Sequence, residues 1–268
     1  MKSIITYLTV FALFILMFGC KTDQADLFSQ SPAIYFGNPQ KSTTLVPVMS
    51  TNYSFAKFIK RTSDTLKIPV SIWGLASTTD RTFVVEKYDT AAANGVEGQD
   101  FKILGPQVIL ANSYSSVVKV VVYRTSKLDN MSANFFLRIK PNENFQVAIA
   151  TQKTYQIKVN FLQMPDTWLM VSGSQGWASS KTNFGTWTKS KYQVILDALY
   201  SPKGDSTITE FPYSIYVPPT VYAQYLLVVK NYLKVKYPGN YSTPIGVGVT
   251  LTDPDASNLP IQVGPANY

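Results

Sequence analysis

The 268 residues carry 46% hydrophobic and 15% charged side chains, with 17 Tyr and 15 Phe, which excludes a disordered chain and suffices for one large domain or two ordinary ones. No histidine is present, which removes Ser-His-Asp and Cys-His catalysis and most zinc sites, and the single cysteine, Cys20, forbids an intramolecular disulfide. The net charge of +8 comes from basic residues scattered singly, as at Lys67, Lys119, Lys140 and Lys158, so no nucleic-acid footprint is expected, whereas anionic lipid heads or charged glycans fit a basic surface.

Lys2 and the apolar residues 4–18 read as the charged start and hydrophobic core of a signal peptide, because fifteen residues fall short of the about 20 needed to span a bilayer. The run ends at Met17-Phe18-Gly19-Cys20, which resembles the bacterial lipobox: a small residue stands before a cysteine whose thiol takes diacylglycerol. Phe18 fits the looser Bacteroidota form of that motif. Residues 1–19 are therefore expected to be a signal peptide, Cys20 the lipidation site, and the polar residues 20–32 a flexible tether. Each buried methylene contributes only about 0.8 kcal/mol, so stable anchoring needs more than one acyl chain, which a triacylated cysteine supplies. Asp23 and Asp26 resemble the acidic surface-export signals of Bacteroidota lipoproteins, which implies an outer-membrane protein facing the cell exterior.

From residue 33 to 163 the chain alternates in short runs. Leu66, Ile68, Val70 and Ile72 point one way and Lys67, Pro69 and Ser71 the other, and the pattern recurs at Val118, Val120 and Val122, at Phe135, Leu137 and Ile139, and at Tyr155, Ile157, Val159 and Phe161. Shorter candidates cover 34–36, 53–58, 81–88 and 107–110. About eight strands separated by turn residues predict an antiparallel, immunoglobulin-like β-sandwich. Pro69 is expected on an edge or at a bulge, since it donates no ladder bond.

The segment Asn94-Gly95-Val96-Glu97-Gly98-Gln99-Asp100-Phe101, with the strands after it, resembles the A-x-x-G-x-D-Y turn of Calx-β-like domains. A wider set of short matches resembles a Bacteroidota surface-lipoprotein family of unknown function found beside Sus-type glycan-uptake systems. It comprises Ile34-Tyr35-Phe36, Tyr53-Ser54-Phe55-Ala56, Arg81-Thr82-Phe83, the Glu97-Gly98-Gln99-Asp100-Phe101 turn, Leu137-Arg138-Ile139-Lys140-Pro141-Asn142, and Pro165 with Trp168. That resemblance implies a cell-surface accessory protein and no particular ligand. Some Calx-β relatives bind calcium, which makes Asp89, Glu97 and Asp100 candidate oxygen ligands, yet three carboxylates fall short of the six to eight oxygens Ca²⁺ takes. Turn chemistry is the stronger reading: Gly95 and Gly98 permit positive φ, and Asp100 bonds nearby amides. No metal and no cofactor is therefore expected.

Residues 164–268 are expected to form a smaller, mostly helical module. Trp168, Trp177 and Trp187 open it in a Gly/Ser-rich setting, with Tyr192 just downstream. Two readings stand. Flat rings stack on the C–H face of a pyranose while Asn, Gln and Ser bond its hydroxyls; alternatively the rings pack the module against the sandwich, the commoner fate of tryptophan. Tyr192, Ile195, Leu196 and Leu199 predict one helix, and Tyr222, Tyr225, Leu226, Val229 and Leu233 a second, entered at Pro218-Pro219 and stopped by Pro238-Gly239-Asn240. Ile245, Val247, Val249 and Leu251 alternate with small residues and predict a strand.

No phosphate loop or metal-ligand spacing appears, and no acidic pair has a recognisable catalytic context, so an enzyme is not expected. The favoured reading is a non-catalytic surface lipoprotein that binds glycan or associates with an importer. Its rival is a structural or adhesive protein, either a fimbrial-type subunit or an organiser of the importer complex.

Overall fold

Side chains that alternate in the first two-thirds of the sequence line the space between two facing sheets. The computed structural model describes residues 32–38, 49–148, 150–165, 168, 180–207 and 219–264, so the expected signal peptide, Cys20 and nearly all of the tether lie outside the described residues. The strands are β1 (Ala33–Phe36), β2 (Ser50–Ser54), β3 (Ser63–Trp73), β4 (Arg81–Thr82), β5 (Val84–Tyr88), β6 (Phe101–Ile103), β7 (Val108–Ile109), β8 (Ser115–Tyr123), β9 (Ala133–Lys140), β10 (Gln146–Val147) and β11 (Thr154–Asn160). One sheet has the order β10-β1-β3-β8-β6 and the other β2-β11-β9-β5.

This order is immunoglobulin-like. Taking β1, β3, β5, β6, β8, β9 and β11 as strands A to G places A, B, E and D in one sheet and G, F and C in the other. The first strand is shared between the sheets: β1 runs antiparallel to β3, while β2 runs parallel to β11. Ile68, Val70, Ile72, Val118, Val120 and Val122 face Phe135, Leu137, Ile139, Ile157 and Val159 across a single buried cluster. Phe101 and Phe135 join the two sheets, with parallel rings 3.7 Å apart at 2°. Gly95 has no positive φ, contrary to expectation; it makes room for Phe135, whose Cβ would lie 3.0 Å from an added methyl. Gly98 does adopt positive φ, at 85°.

Pro69 sits in the central strand of its sheet, not on an edge. It is tolerated because the β1–β3 ladder ends at Phe36 and Val70. The next carbonyl, that of Gly37, would have taken the missing N–H, and it accepts instead from the Ser71 hydroxyl at 2.7 Å.

The C-terminal part contains α1 (Ser180–Phe184), α2 (Lys189–Ala198), β12 (Tyr200–Ser201), β13 (Ser206–Thr207), α3 (Pro219–Lys236), β14 (Thr252–Asp253) and β15 (Leu259–Pro260). The two helices read from periodicity are present, with Tyr192, Ile195, Leu196, Leu199, Tyr222, Tyr225, Val229 and Leu233 buried. A mostly helical module is not supported. Helices are few, and the remaining described residues form short ladders and 3-10 turns. Residues 245–251 are not a strand either: Gly246 and Gly248 take φ of 95° and 98°, which bends the chain at each alternate position.

These elements dock at one end of the sandwich. Arg61 bonds Asp205 at 3.0 Å and Lys60 lies over the Tyr200 ring, both at the Ser63 end of β3. Residue 32, where the described chain enters, lies at the other end beside Trp73 and Gly74.

Candidate functional site

The turn before α2 is fixed from two directions. The Thr188 hydroxyl caps α2 by accepting the Lys191 N–H at 3.2 Å and donates to the buried Asp253 carboxylate. Asp253 in turn accepts the Asp255 N–H at 3.1 Å, so the start of α2 is tied to the turn after β14. Trp187 precedes this cap, half-buried, and lines a cleft of about 560 Å³ with Asp129, Asn130, Leu162, Gln163, Met164, Thr188, Lys189 and Asp255. Lys189 Nζ donates to Asn130 Oδ1 at 3.2 Å, and Gln163 donates to the Leu128 carbonyl at 3.0 Å. The Trp187 indole N–H is buried and has no hydrogen-bond partner among the described residues.

A second cleft of about 420 Å³ adjoins the first and shares Leu162 and Lys189 with it. Gln193, Asp197, Tyr232 and Tyr237 give it polar and aromatic edges, and Val194, Leu251 and Ile261 an apolar floor. Aromatic rings beside amides and carboxylates in an open groove can hold a polyhydroxylated ring by stacking and hydrogen bonding.

The residues singled out from the sequence separate. Trp168 is core, 2% exposed, with its indole N–H on the Gly185 carbonyl at 3.0 Å and its ring edge-on to Tyr192 at 6.1 Å. Tyr192 is equally buried, and burial pushes its phenol well above the usual range. Neither presents a stacking face to solvent. Trp177 and Cys20 lie outside the described residues. Among the described ones, Trp187 alone lines either of the two clefts.

Asp89, Glu97 and Asp100 do not converge, and no cluster of three or more metal-type ligands occurs among the described residues. Asp89 is exposed and pairs with Lys87 at 2.6 Å, while Glu97 lies exposed in the turn. Asp100 is buried and both its oxygens are engaged: Oδ2 accepts from Val96 N–H and Lys127 Nζ, each at 2.9 Å, and Oδ1 from the Thr125 hydroxyl at 3.0 Å. It anchors the turn, as its chemistry suggested. Asp129, Asn130, Gln163 and Asp255 were not legible as site residues, since nothing in their local sequence sets them apart.

Lys191, on the buried side of α2, is fully enclosed and its Nζ donates to the Phe184 carbonyl at 3.3 Å. Loss of hydration lowers its pKa to about 8, against the opposing pull of Asp253. Between pH 8 and about 10 the unfolded chain therefore holds a proton that the folded chain has released, so stability rises with pH in that window. Urea midpoints measured at pH 7.5 and pH 9.5 should increase, and Lys191→Met should flatten the increase.

A family model for DUF4843, a domain of unknown function, matches residues 28–200. The chain belongs to the DUF4843 family. The DUF4843 match takes in the sandwich with α1 and α2 and ends in β12, so α3 and the following ladder lie beyond it. Among solved structures, a two-domain protein of unknown function from Bacteroides fragilis is similar over 54% of this chain and 51% of its own, at 14% identity and TM-score 0.37. A candidate carbohydrate-binding protein from Bacteroides ovatus is similar over 48% and 36%, at 8% identity and TM-score 0.35. The CBD12 region of CALX1.2 is similar over 49% and 44%, at 13% identity and TM-score 0.34. The DUF4843 chain thus spans about half or less of the length of each of these proteins. None of the curated proteins matches it.

Proposed function

We propose that this chain is a lipid-anchored, non-catalytic surface protein of Bacteroidota that binds glycan in the Trp187 cleft, as an accessory of a polysaccharide importer at the outer membrane. The supporting observation is the cleft itself, where a half-buried indole is bordered by Asp129, Asn130, Gln163 and Asp255. Cys20, at the end of a fifteen-residue apolar run, supports the anchor, and Asp23 and Asp26 support the outer face. The absence of histidine from the sequence supports a binding role over acid–base chemistry.

Assembly through an open sheet edge, the alternative, draws less support. Edge strand β5 carries Glu86 between Arg138 and Lys140, at 2.6 and 3.1 Å, and edge strands β6 and β10 have three and two residues. Short or charged edges resist strand addition. The edge at β2 is polar along its length.

Calorimetry and affinity electrophoresis of the chain from residue 21 against a panel of polysaccharides test the proposal. Trp187→Ala should weaken binding at least about tenfold, the scale of one lost stacking platform worth about 1.4 kcal/mol. Failure to bind any glycan would shift the reading to edge-mediated assembly.

A further inference from the structure

The C-terminal end of α3 and the loop after it form a braced tip. Gly239 N–H donates to the Val249 carbonyl at 2.9 Å and Gly246 N–H to the Gly239 carbonyl at 2.8 Å. The Ser242 hydroxyl donates to the Pro244 carbonyl at 2.8 Å and accepts the Val247 N–H at 3.1 Å. A side chain at Gly239 would meet Thr250 Oγ1 at 2.2 Å, so only glycine allows the loop to close this tightly. Despite this bracing the loop turns its apolar side chains outward: Ile245, Val247 and Val249 are 57%, 60% and 62% exposed, and Val235 at the helix end is 85% exposed. Apolar groups held out on a fixed backbone mark a contact surface.

Charge identifies the partner. No Asp or Glu occurs from residue 211 to 252, whereas Lys230, Lys234 and Lys236 do. Lys230 and Lys234 lie over the Tyr241 ring at 5.6 and 5.7 Å, beside the loop. Lysines near a helix C-terminus also complement its dipole, but that does not explain the exposed Ile and Val. We propose that this tip docks on an anionic lipid surface, with Ile245, Val247, Val249 and Val235 entering the headgroup boundary and the lysines facing phosphates.

This contact adds to any acyl anchor and does not depend on one.

The chain from residue 21 retains every buried core residue found among the described residues, which lie between Ile34 and Val263, and it contains no cysteine. It should float with vesicles of phosphatidylcholine containing about one-third phosphatidylglycerol and much less with phosphatidylcholine alone. Ile245→Ser with Val247→Ser, and separately Lys234→Glu with Lys236→Glu, should each weaken partitioning about tenfold, and added salt should weaken it further. An environment-sensitive fluorophore on Val247→Cys, then the only thiol, should shift to the blue on adding the anionic vesicles. Equal flotation with both vesicle types, retention in either double variant, or an unshifted fluorophore would overturn the proposal.

Discussion

Trp168→Ala should cost about 3–5 kcal/mol of folding stability, the usual range for emptying a buried tryptophan site. The ring is 2% exposed, meets Tyr192 edge-on and approaches Phe184 at 6.2 Å, so the cavity would be lined by large groups already held by other contacts. Its indole N–H is paired with the Gly185 carbonyl, which alanine would leave without that donor. Trp168→Phe should recover much of the loss, since it restores ring volume and sacrifices one hydrogen bond worth about 1 kcal/mol. Chemical melts of the three proteins measure this directly. Glycan affinity per folded molecule should be unchanged in Trp168→Phe, in contrast to Trp187→Ala. Equal loss of binding in both would place Trp168 in the recognition surface and contradict its burial.

That contrast also marks what the sequence discloses. Trp168 and Trp187 look alike as letters, each in a stretch rich in small or polar residues, and burial alone separates core from cleft. The strands were legible where one face is buried, because period-two alternation records the pleat, as in β3, β8, β9 and β11. The same rule misled at Ile245-Gly246-Val247-Gly248-Val249. There the alternation comes from glycines that turn the chain at positive φ, and every side chain ends up exposed. Pro69 was misplaced for another reason: a local rule about ladders does not know where the neighbouring strand stops, and β1 stops one residue short of needing its N–H. The helical content was overestimated because α2 and α3 declare themselves by periodicity, whereas the segments between and after them carry no pattern of their own. The cleft was beyond sequence reasoning, since its polar lining comes from the turn after β8, the end of β11, the start of α2 and the turn after β14.

Asp100→Asn is expected to destabilise the sandwich by about 3 kcal/mol at neutral pH, at the lower end for a broken buried ion pair because Lys127 remains 24% exposed. Burial disfavours the Asp100 charge, but the Val96 amide, the Lys127 ammonium and the Thr125 hydroxyl outweigh it and hold the carboxyl below the usual carboxylate range. As pH falls through about 4, the unfolded chain takes up this proton before the folded chain does. The stabilisation is therefore complete above that pH and is lost as pH falls through the lower folded value. Burial disfavours the Asp64 charge, but hydrogen bonds from the Tyr53 hydroxyl and the Thr65 amide, with Arg61 beside them, hold its carboxyl low, and Arg138 with Lys140 holds Glu86 low, so both add to the same acid-side slope. Thermal melts from pH 7 to pH 3 should show a steep fall in the parent and a shallower one in Asp100→Asn. Adding calcium or a chelator should leave both curves in place if Lys127, not a metal ion, balances the buried carboxylate. A calcium-dependent rise confined to the parent would restore the turn as a cation site.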